Sequence, residues 1–133
     1  MELSSAGSFA GSQFRFLARH QGKSDMLPST RYVIASQFSK FPGGRKRVHG
    51  RHSGEEFRED IVRALLAQYE RVTFDLSGSA GYSSGFLDEA FGGLLAYFTF
   101  DDLRKRVVIE AEDDPDAIDI AWKRMREASR ERA

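Results

Sequence analysis

The chain contains no cysteine, only three prolines and no long apolar run. The absence of cysteine excludes disulfides, thiolate catalysis and cysteine-ligated metal sites. No apolar stretch approaches the roughly 18 residues that a membrane-spanning helix needs, and the N-terminus lacks the apolar segment of a signal peptide. The 20 basic and 20 acidic residues give zero net charge, so no overall field attracts the chain to nucleic acid. We therefore expect a soluble, cytoplasmic protein.

The first 30 residues differ in composition from the rest of the chain. Glycine, serine and glutamine separate isolated aromatic residues there, without the sustained period of a strand or of a helix. This pattern predicts a flexible leader over residues 1–30 and raises the hypothesis that Met26 is the true start. Residues 31–130 are predicted to fold as one domain, and their apolar content suffices for a buried core.

Strands and helices alternate along residues 31–130. β-Branched, apolar runs bounded by turn residues predict strands, and apolar residues at helical spacing predict helices. A capping box at Ser53 and Glu56 marks the start of the first long helix. The alternation predicts an α/β fold with a mixed sheet of about four strands covered by about three helices. The predicted strands are 31–38, 45–50 at the sheet edge, 71–76 and 105–111, and the predicted helices are 54–69, 84–98 and one that begins near Pro115.

Two helical patterns carry further expectations about packing. Gly92 and Gly93 interrupt the second predicted helix, where each glycine costs about 1 kcal/mol relative to alanine. We therefore expect the backbone to approach the sheet closely at this point. In the last helix, Ile118, Trp122 and Met125 recur at helical spacing and are predicted to form its buried stripe.

The sequence offers no clear metal site or acid–base pair. His49 and His52 stand on either side of Arg51 in a predicted turn, where no helix aligns them as ligands. Asp88 and Glu89 are neighbours in a predicted helix, so their side chains point about 100° apart and do not share a catalytic site. We therefore expect no metal, no cofactor and no enzymatic activity.

Arg45, Lys46, Arg47 and Arg51, which we call the basic strip, follow one another without an intervening acid. Such a strip is typical of a solvated sheet edge, and it also fits a contact with phosphate or with an acidic partner. One alternative function is therefore a nucleic-acid-binding accessory that uses this strip. The zero net charge of the chain counts against that alternative.

A segment of small residues, GSAGYSSGFL, joins the strand 71–76 to the next helix. Ser83 and Ser84 stand at the helix start, where a serine hydroxyl commonly accepts a backbone N–H as an N-cap. The same position accommodates a phosphate on the hydroxyl. The glycines also fit a second alternative, a nucleotide-binding or enzymatic subunit, although the lysine of a P-loop is missing. Asp75 ends the preceding strand and is expected to position the loop by accepting hydrogen bonds, not to act as a catalytic acid.

Three segments, HSGEEFRED, RVTFDL and SSGFLDEAFGGL, carry a family resemblance. A Ser-Gly-x-x-Phe-Arg segment, a strand ending in Asp-Leu and a Ser-Phe-Leu-x-Glu-x-Phe-Gly-Gly helix resemble the STAS-like domain family of unknown function. Gly85 separates Ser84 from Phe86 here, which departs from that helix motif. The resemblance covers about residues 31–128, and the family is similar to the anti-sigma factor antagonist (STAS) domains.

The resemblance implies a regulatory protein-interaction module that is not an enzyme. In anti-sigma factor antagonists, a partner kinase of the histidine-kinase-like ATPase class phosphorylates a serine in this loop. The resemblance therefore implies such an ATPase or an anti-sigma-type kinase as partner. Aligned without gaps from the strand, that serine is Ser84; aligned on the paired serines, it is Ser83. The acidic residue before it in those domains is replaced here by Tyr82 or Ser83. The implied docking residues are Asp75, Ser77, Gly78, Gly81, Tyr82, Gly85, Phe86 and Glu89.

Overall fold

Three parallel strands and five helices form residues 25–132, the part of the chain that the computed structural model describes. The strands are β1 (Leu27–Val33), β2 (Tyr69–Asp75) and β3 (Val107–Glu110). The helices are α1 (Ile34–Gln37), α2 (residues 54–68), α3 (Ser84–Ala90), α4 (Phe100–Arg106) and α5 (Pro115–Arg132). The middle of α2, Phe57–Val62, is π-helical, and short 3₁₀ helices lie at Arg47–His49 and Gly92–Ala96.

The central strand of the sheet is β2, with β1 and β3 parallel to it on either side. Tyr32 lies beside Phe74, and Phe74 lies beside Ile109, and all three side chains are buried. Arg31 and Glu110, which alternate with them along the strands, are exposed. Because right-handed crossovers in this strand order put both connections on one side, the connecting helices α1 to α4 cover the same face of the sheet.

Phe57, in the π-helical part of α2, lies at the centre of an aromatic core. Its ring centroid is 5.8 Å from that of Phe74 in β2 and 5.9 Å from that of Phe86 in α3. Phe91, just after α3, is 6.2 Å away, and all four rings are fully buried. Aromatic pairs at such distances stabilise a core beyond their buried area, so α2, α3 and the sheet are held together at this point.

The structure confirms an α/β fold but not the predicted mixed sheet of about four strands, since the described residues contain three strands that are all parallel. The predicted edge strand 45–50 is wrong, because Arg47–His49 is a 3₁₀ helix. The backbone N–H of Arg47 donates to the Glu55 carboxylate, and that of Gly54 donates to the Gly44 carbonyl. These hydrogen bonds tie the segment to the start of α2 instead of to the sheet.

The first strand lies earlier than predicted. β1 ends at Val33, and the predicted strand residues 34–37 form α1. The backbone N–H of Val33 donates to the Gln37 side chain (2.7 Å), and Phe38 and Ser39 donate to the Ile34 carbonyl, which closes a helical turn. The predicted leader, residues 1–30, therefore overlaps β1 at its end, and residues 1–24 lie outside the described range.

A helix was missed and another is shorter than predicted. The first two residues of the predicted strand 105–111 belong to α4, and β3 itself begins at Val107. Thr99 caps α4 by accepting the Asp102 N–H. The predicted helix 84–98 ends at Ala90 and continues after Phe91 as the 3₁₀ helix. The predicted helix 54–69, its N-cap at Ser53 and the helix start near Pro115 are confirmed.

Candidate functional site

The loop 76–83 lies at the carboxyl edge of the parallel sheet, where open α/β sheets commonly bind their ligands. It is held from two sides. The Ala80 N–H donates to the Lys40 carbonyl (2.8 Å), and the Gly78 N–H donates to the Asp113 carboxylate (2.9 Å). On the Asp113 side, the Ser77 hydroxyl also accepts the N–H of Glu112 (2.8 Å). The loop backbone is therefore fixed against the segments that follow α1 and β3.

Asp75 connects the end of β2 to this loop. Its carboxylate accepts the Ser77 N–H (2.9 Å) and a guanidinium N–H of Arg31 (2.7 Å), and Arg31 also binds Glu110 (2.7 Å). Partial burial alone would raise the pKa of Asp75, but the hydrogen bonds from Ser77 and Arg31 outweigh it and lower the pKa. Asp75 therefore accepts a backbone hydrogen bond from the loop, as expected from the sequence.

The partly buried side chain of Tyr82 contacts both the start of the loop and the start of α3. Its hydroxyl donates to the Leu76 carbonyl (3.0 Å), and its ring packs on Phe86 with centroids 5.6 Å apart. Burial raises the pKa of Tyr82 to about 12, so the phenol keeps its proton well into the alkaline range. The hydrogen bond joins Tyr82 to Leu76, the first residue of the loop, while the Tyr82 ring packs at the start of α3.

The two adjacent serines occupy different positions at the start of α3. Ser83 is the N-cap: its hydroxyl oxygen accepts the Phe86 N–H (3.0 Å), and it lies 3.5 Å from the Gly43 carbonyl. Ser84 is the first residue of the helix, and both serines are exposed. The structural role of an N-cap therefore belongs to Ser83, and Ser84 presents its side chain on the surface beside it.

The backbone N–H groups of the loop test whether the loop could bind the phosphates of a nucleotide. Those of Ser77, Gly78, Ala80 and Gly81 each donate to an oxygen of the protein. A phosphate-binding loop needs such donors directed toward the ligand. In this conformation these four donors are engaged within the protein, which counts against a phosphate cradle formed by the loop backbone.

The basic strip is largely paired with acids of α2 and α3. Arg45 donates a hydrogen bond to the Asp88 carboxylate, and the Lys46 ammonium donates one to the Glu89 carboxylate (3.2 Å). Arg47 binds the Asp60 carboxylate through two nitrogens, at 2.7 and 3.2 Å. These pairs reduce the positive potential that the strip offers to nucleic acid. The fourth member, Arg51, is exposed on the connection before α2.

A buried arginine that the sequence reading did not single out lies beneath the strip. Arg58 is 8% exposed, and its Nη1 donates to both the carboxylate (2.8 Å) and the backbone carbonyl (2.6 Å) of Glu89. Its Nε donates to Glu59 (2.7 Å). Partial burial alone would raise the pKa of Glu89, but the bonds from Arg58 and Lys46 outweigh it and lower the pKa. Glu89, implied as a docking residue, thus directs its carboxylate inward.

The glycines of the shared motifs make room for this contact between helices. A Cβ on Gly93 would lie 2.2 Å from Nη1 of Arg58, and a Cβ on Gly54 would lie 2.5 Å from the Phe86 carbonyl oxygen. We expected Gly92 and Gly93 to bring the backbone close to the sheet. This prediction is wrong, because the atoms nearest to both glycines lie in helices. Gly93 faces Arg58, and a Cβ on Gly92 would lie 3.4 Å from the carbonyl oxygen of Arg124 in α5. Arg58 and Gly93 belong to the Phe-Arg and Phe-Gly-Gly segments of the sequence, but nothing in these segments alone predicts that the two residues touch.

The histidines and the acidic pair do not assemble into a site of their own. The His52 ring packs edge-on against Phe38 at 5.3 Å, and His49 ends the 3₁₀ helix. Asp88 faces Arg45, whereas Glu89 faces Arg58. Over residues 25–132, no three histidine, aspartate or glutamate side chains come together as metal ligands. In the same range, no helix is both long and apolar enough to span a bilayer.

Comparison with known families identifies the segment that carries this site. Residues 53–117 match the family model described as STAS-like domain of unknown function (DUF4325). The matched segment begins at the N-cap of α2, includes the loop 76–83 and α3, and ends in the first turn of α5. The predicted resemblance is confirmed over this segment. Neither the curated proteins nor the solved structures gave a match.

Proposed function

We propose that this chain, STAS-like over residues 53–117, is a non-enzymatic regulatory module that docks a partner protein through residues 77–86. We call these residues the docking loop. The observation that carries the proposal is the fixed backbone of this loop, held by Asp75 below and by the Lys40 and Asp113 segments at its sides. A segment that is already ordered loses little conformational entropy when it binds.

The outward side of the docking loop is small and uncharged. Gly78, Ala80, Gly81, Ser83 and Ser84 are exposed, whereas the larger side chains beneath them are at least partly buried. A surface of this kind lets a partner approach the backbone closely and contributes no charge that must be desolvated. Ser77, Tyr82 and Phe86 anchor the docking loop through their own contacts, and Asp75 and Glu89 lie at its two ends.

The partner class that we propose is a histidine-kinase-like ATPase or an anti-sigma-type kinase. Its support is the family resemblance, because the related anti-sigma factor antagonists engage such kinases through the equivalent loop. The same resemblance supports regulation by phosphorylation. Of the two candidate serines, Ser84 is favoured, because Ser83 is already engaged as the N-cap and Ser84 stands on the surface.

A phosphate on Ser84 would meet a cation close by. The guanidinium of Arg45 lies over Gly85, with Nη2 3.6 Å from the position of a Cβ there, and Arg45 is paired with Asp88. A phosphate of about −1.5 to −2 charge competes with Asp88 for Arg45. It also places negative charge in an otherwise neutral docking surface, so a partner that buries the loop is repelled or must desolvate the phosphate.

Docking can be tested without knowledge of the phosphorylation state. Purified ATPases of the histidine-kinase-like class from the native host are titrated calorimetrically with the wild-type chain, with Ala80→Arg and with the control Ser29→Arg. Ala80 is exposed in the docking loop, and Ser29 is exposed in β1. Wild type and Ser29→Arg should bind equally, and Ala80→Arg should weaken binding about tenfold or more. Equal binding by all three, or binding by none, would overturn the proposal. Incubation with ATP and mass spectrometry then locates any phosphate.

A further inference from the structure

A tryptophan lies at the surface of α5 instead of in its buried stripe. The fully buried positions of the helix are Ala117, Ala121 and Met125, four residues apart. Trp122, predicted in the stripe, is only partly buried, as is Ile118. The prediction is confirmed for Met125 and wrong for Ile118 and Trp122, because the alanines Ala117 and Ala121 occupy the other fully buried positions of α5. A large aromatic side chain is thereby left at the border between core and solvent.

Two adjacent clefts share this tryptophan. One, of about 430 Å³, is lined by Phe100, Arg104, Trp122 and Arg126. The other, of about 400 Å³, is lined by Asp119, Trp122, Lys123, Arg126, Glu127 and Arg130. We call the residues of both clefts the Trp122 surface. The indole therefore stands between two depressions, with arginine side chains on each side.

The Trp122 surface is positively charged on a neutral chain. Its cations are Arg104, Lys123, Arg126 and Arg130, all exposed, and its acids are Asp119 and Glu127. Glu127 is additionally within 3.4 Å of the Arg124 guanidinium, which compensates part of its charge. The surface thus offers several arginine donors to an anion, in contrast to the basic strip, in which Arg45, Lys46 and Arg47 face acids of α2 and α3.

The aromatic and cationic groups are interleaved. The Phe100 ring meets the Trp122 ring at 84°, with centroids 6.2 Å apart, and the Arg126 guanidinium carbon lies 5.9 Å from the Phe100 centroid. Arg126 and Arg130 are four residues apart and so lie on one side of α5, one turn from each other. Aromatic rings beside a row of cations suit a ligand that carries both flat bases and a repeated negative charge.

We propose that the Trp122 surface binds single-stranded nucleic acid, with Trp122 stacking on a base and Arg104, Arg126 and Arg130 contacting phosphates. This site is separate from the docking loop. Arg104 lies in the last turn of α4, which leads into the amino end of β3, whereas the docking loop lies at the carboxyl edge of the sheet. The proposal therefore stands or falls independently of the proposed protein partner.

Trp122 is the only tryptophan in the chain, so its fluorescence reports on this surface alone. The full chain is titrated with an oligothymidylate at low salt and, in parallel, with tripolyphosphate at equal phosphate concentration. We expect the oligonucleotide to quench the fluorescence saturably and tripolyphosphate to leave it unchanged. For about three phosphate contacts on a single strand, affinity should fall about tenfold or more between 50 and 200 mM salt.

Variants separate the two kinds of contact, with anisotropy of a labelled oligonucleotide as readout and circular dichroism to check folding. Trp122→Ala should weaken binding about tenfold, because the stacked base is lost. Arg104→Gln and Arg126→Gln should each weaken binding and lower the salt slope by about 0.7. Arg71→Gln, at an exposed arginine of β2, is the control and should bind as the wild type does.

Three outcomes would overturn the proposal. Absence of both quenching and anisotropy change would show that this surface does not bind single strands. Equal quenching by tripolyphosphate would show a general anion surface without base stacking. Equal weakening by Arg71→Gln and by Arg126→Gln would show nonspecific attraction spread over the whole chain.

Discussion

The guanidinium of Arg58 occupies the space that a side chain at Gly93 would need. A Cβ on Gly93 would lie 2.2 Å from Nη1 and 3.0 Å from Cζ of Arg58. Arg58 has little freedom to move away, because Glu89 and Glu59 hold three of its hydrogen bonds and its side chain is only 9% exposed. The pair joins α2 to the end of α3 and so supports the base of the docking loop.

Gly93→Ala should therefore destabilise the fold. Moving Arg58 aside breaks hydrogen bonds of a buried charge, so we expect the free energy of unfolding to fall by about 2–4 kcal/mol. Gly44→Ala is the matched control, since a Cβ there meets nothing within 4 Å. Urea unfolding monitored by circular dichroism measures both. Equal unfolding midpoints for the two variants would contradict the contact.

The two serines at the start of α3 should respond differently to removal of the hydroxyl. Ser83→Ala loses the N-cap to the Phe86 N–H and should lower the free energy of unfolding by about 1 kcal/mol. Ser84→Ala changes an exposed side chain in the first turn and should alter it by less than about 0.5 kcal/mol. Thermal or urea unfolding measures both variants. If Ser84→Ala lowered the free energy of unfolding more than Ser83→Ala does, the assignment of Ser83 as the N-cap would be wrong.

Asp75→Asn should leave the fold intact and weaken partner binding only modestly. The amide keeps an oxygen that can accept the Ser77 N–H, but it loses the charge that binds Arg31. We expect an unchanged circular dichroism spectrum and a loss of affinity of less than about tenfold. Abolition of a measured catalytic turnover by this substitution would overturn the assignment of Asp75 as a positioning residue.

Glu59 should make stability fall at acid pH. Partial burial alone would raise its pKa, but hydrogen bonds from Arg58, Arg63 and Tyr97 outweigh it and lower the pKa to about 2. A carboxylate with a lowered folded-state pKa stabilises the fold above its unfolded-state pKa, which is about 4.3 for glutamate, and this stability is lost as pH falls through about 2. The melting temperature of Glu59→Gln should therefore change less between pH 5 and pH 2 than that of the wild type. Identical acid profiles would contradict this.

Long periodic elements and local caps could be predicted from the sequence, because their signals lie within one segment. The helix α2 and its N-cap at Ser53 are examples. α4 was missed because seven residues are too few to establish a helical period beside a strand. The segment 45–50 resembled a charged edge strand, but Arg47–His49 is a 3₁₀ helix, and hydrogen bonds from the N–H groups of Arg47 and Gly54 tie the segment to α2.

The local parts of the candidate site could be predicted from the sequence, whereas the parts that depend on tertiary contacts could not. The loop, its two serines and Asp75 follow from a strand that ends before small residues and a helix start. Arg58 reads as a surface residue, since a charged side chain on a helix is normally solvated. Its burial depends on Glu89, 31 residues later, and on the absence of a side chain at Gly93. The sequence places these residues far apart, so their contact became visible only in the fold.

The central claim is that the docking loop binds a partner and that charge at Ser84 controls this binding. The most direct measurement is the calorimetric Kd of a histidine-kinase-like ATPase of the native host for the wild type, Ser84→Ala and Ser84→Asp, with melting temperatures in parallel. We predict that Ser84→Ala binds within about twofold of the wild type, whereas Ser84→Asp binds about tenfold more weakly at an unchanged melting temperature. Unchanged binding by both variants, with a similar loss of stability in each, would contradict the account and leave the serines as structural residues only.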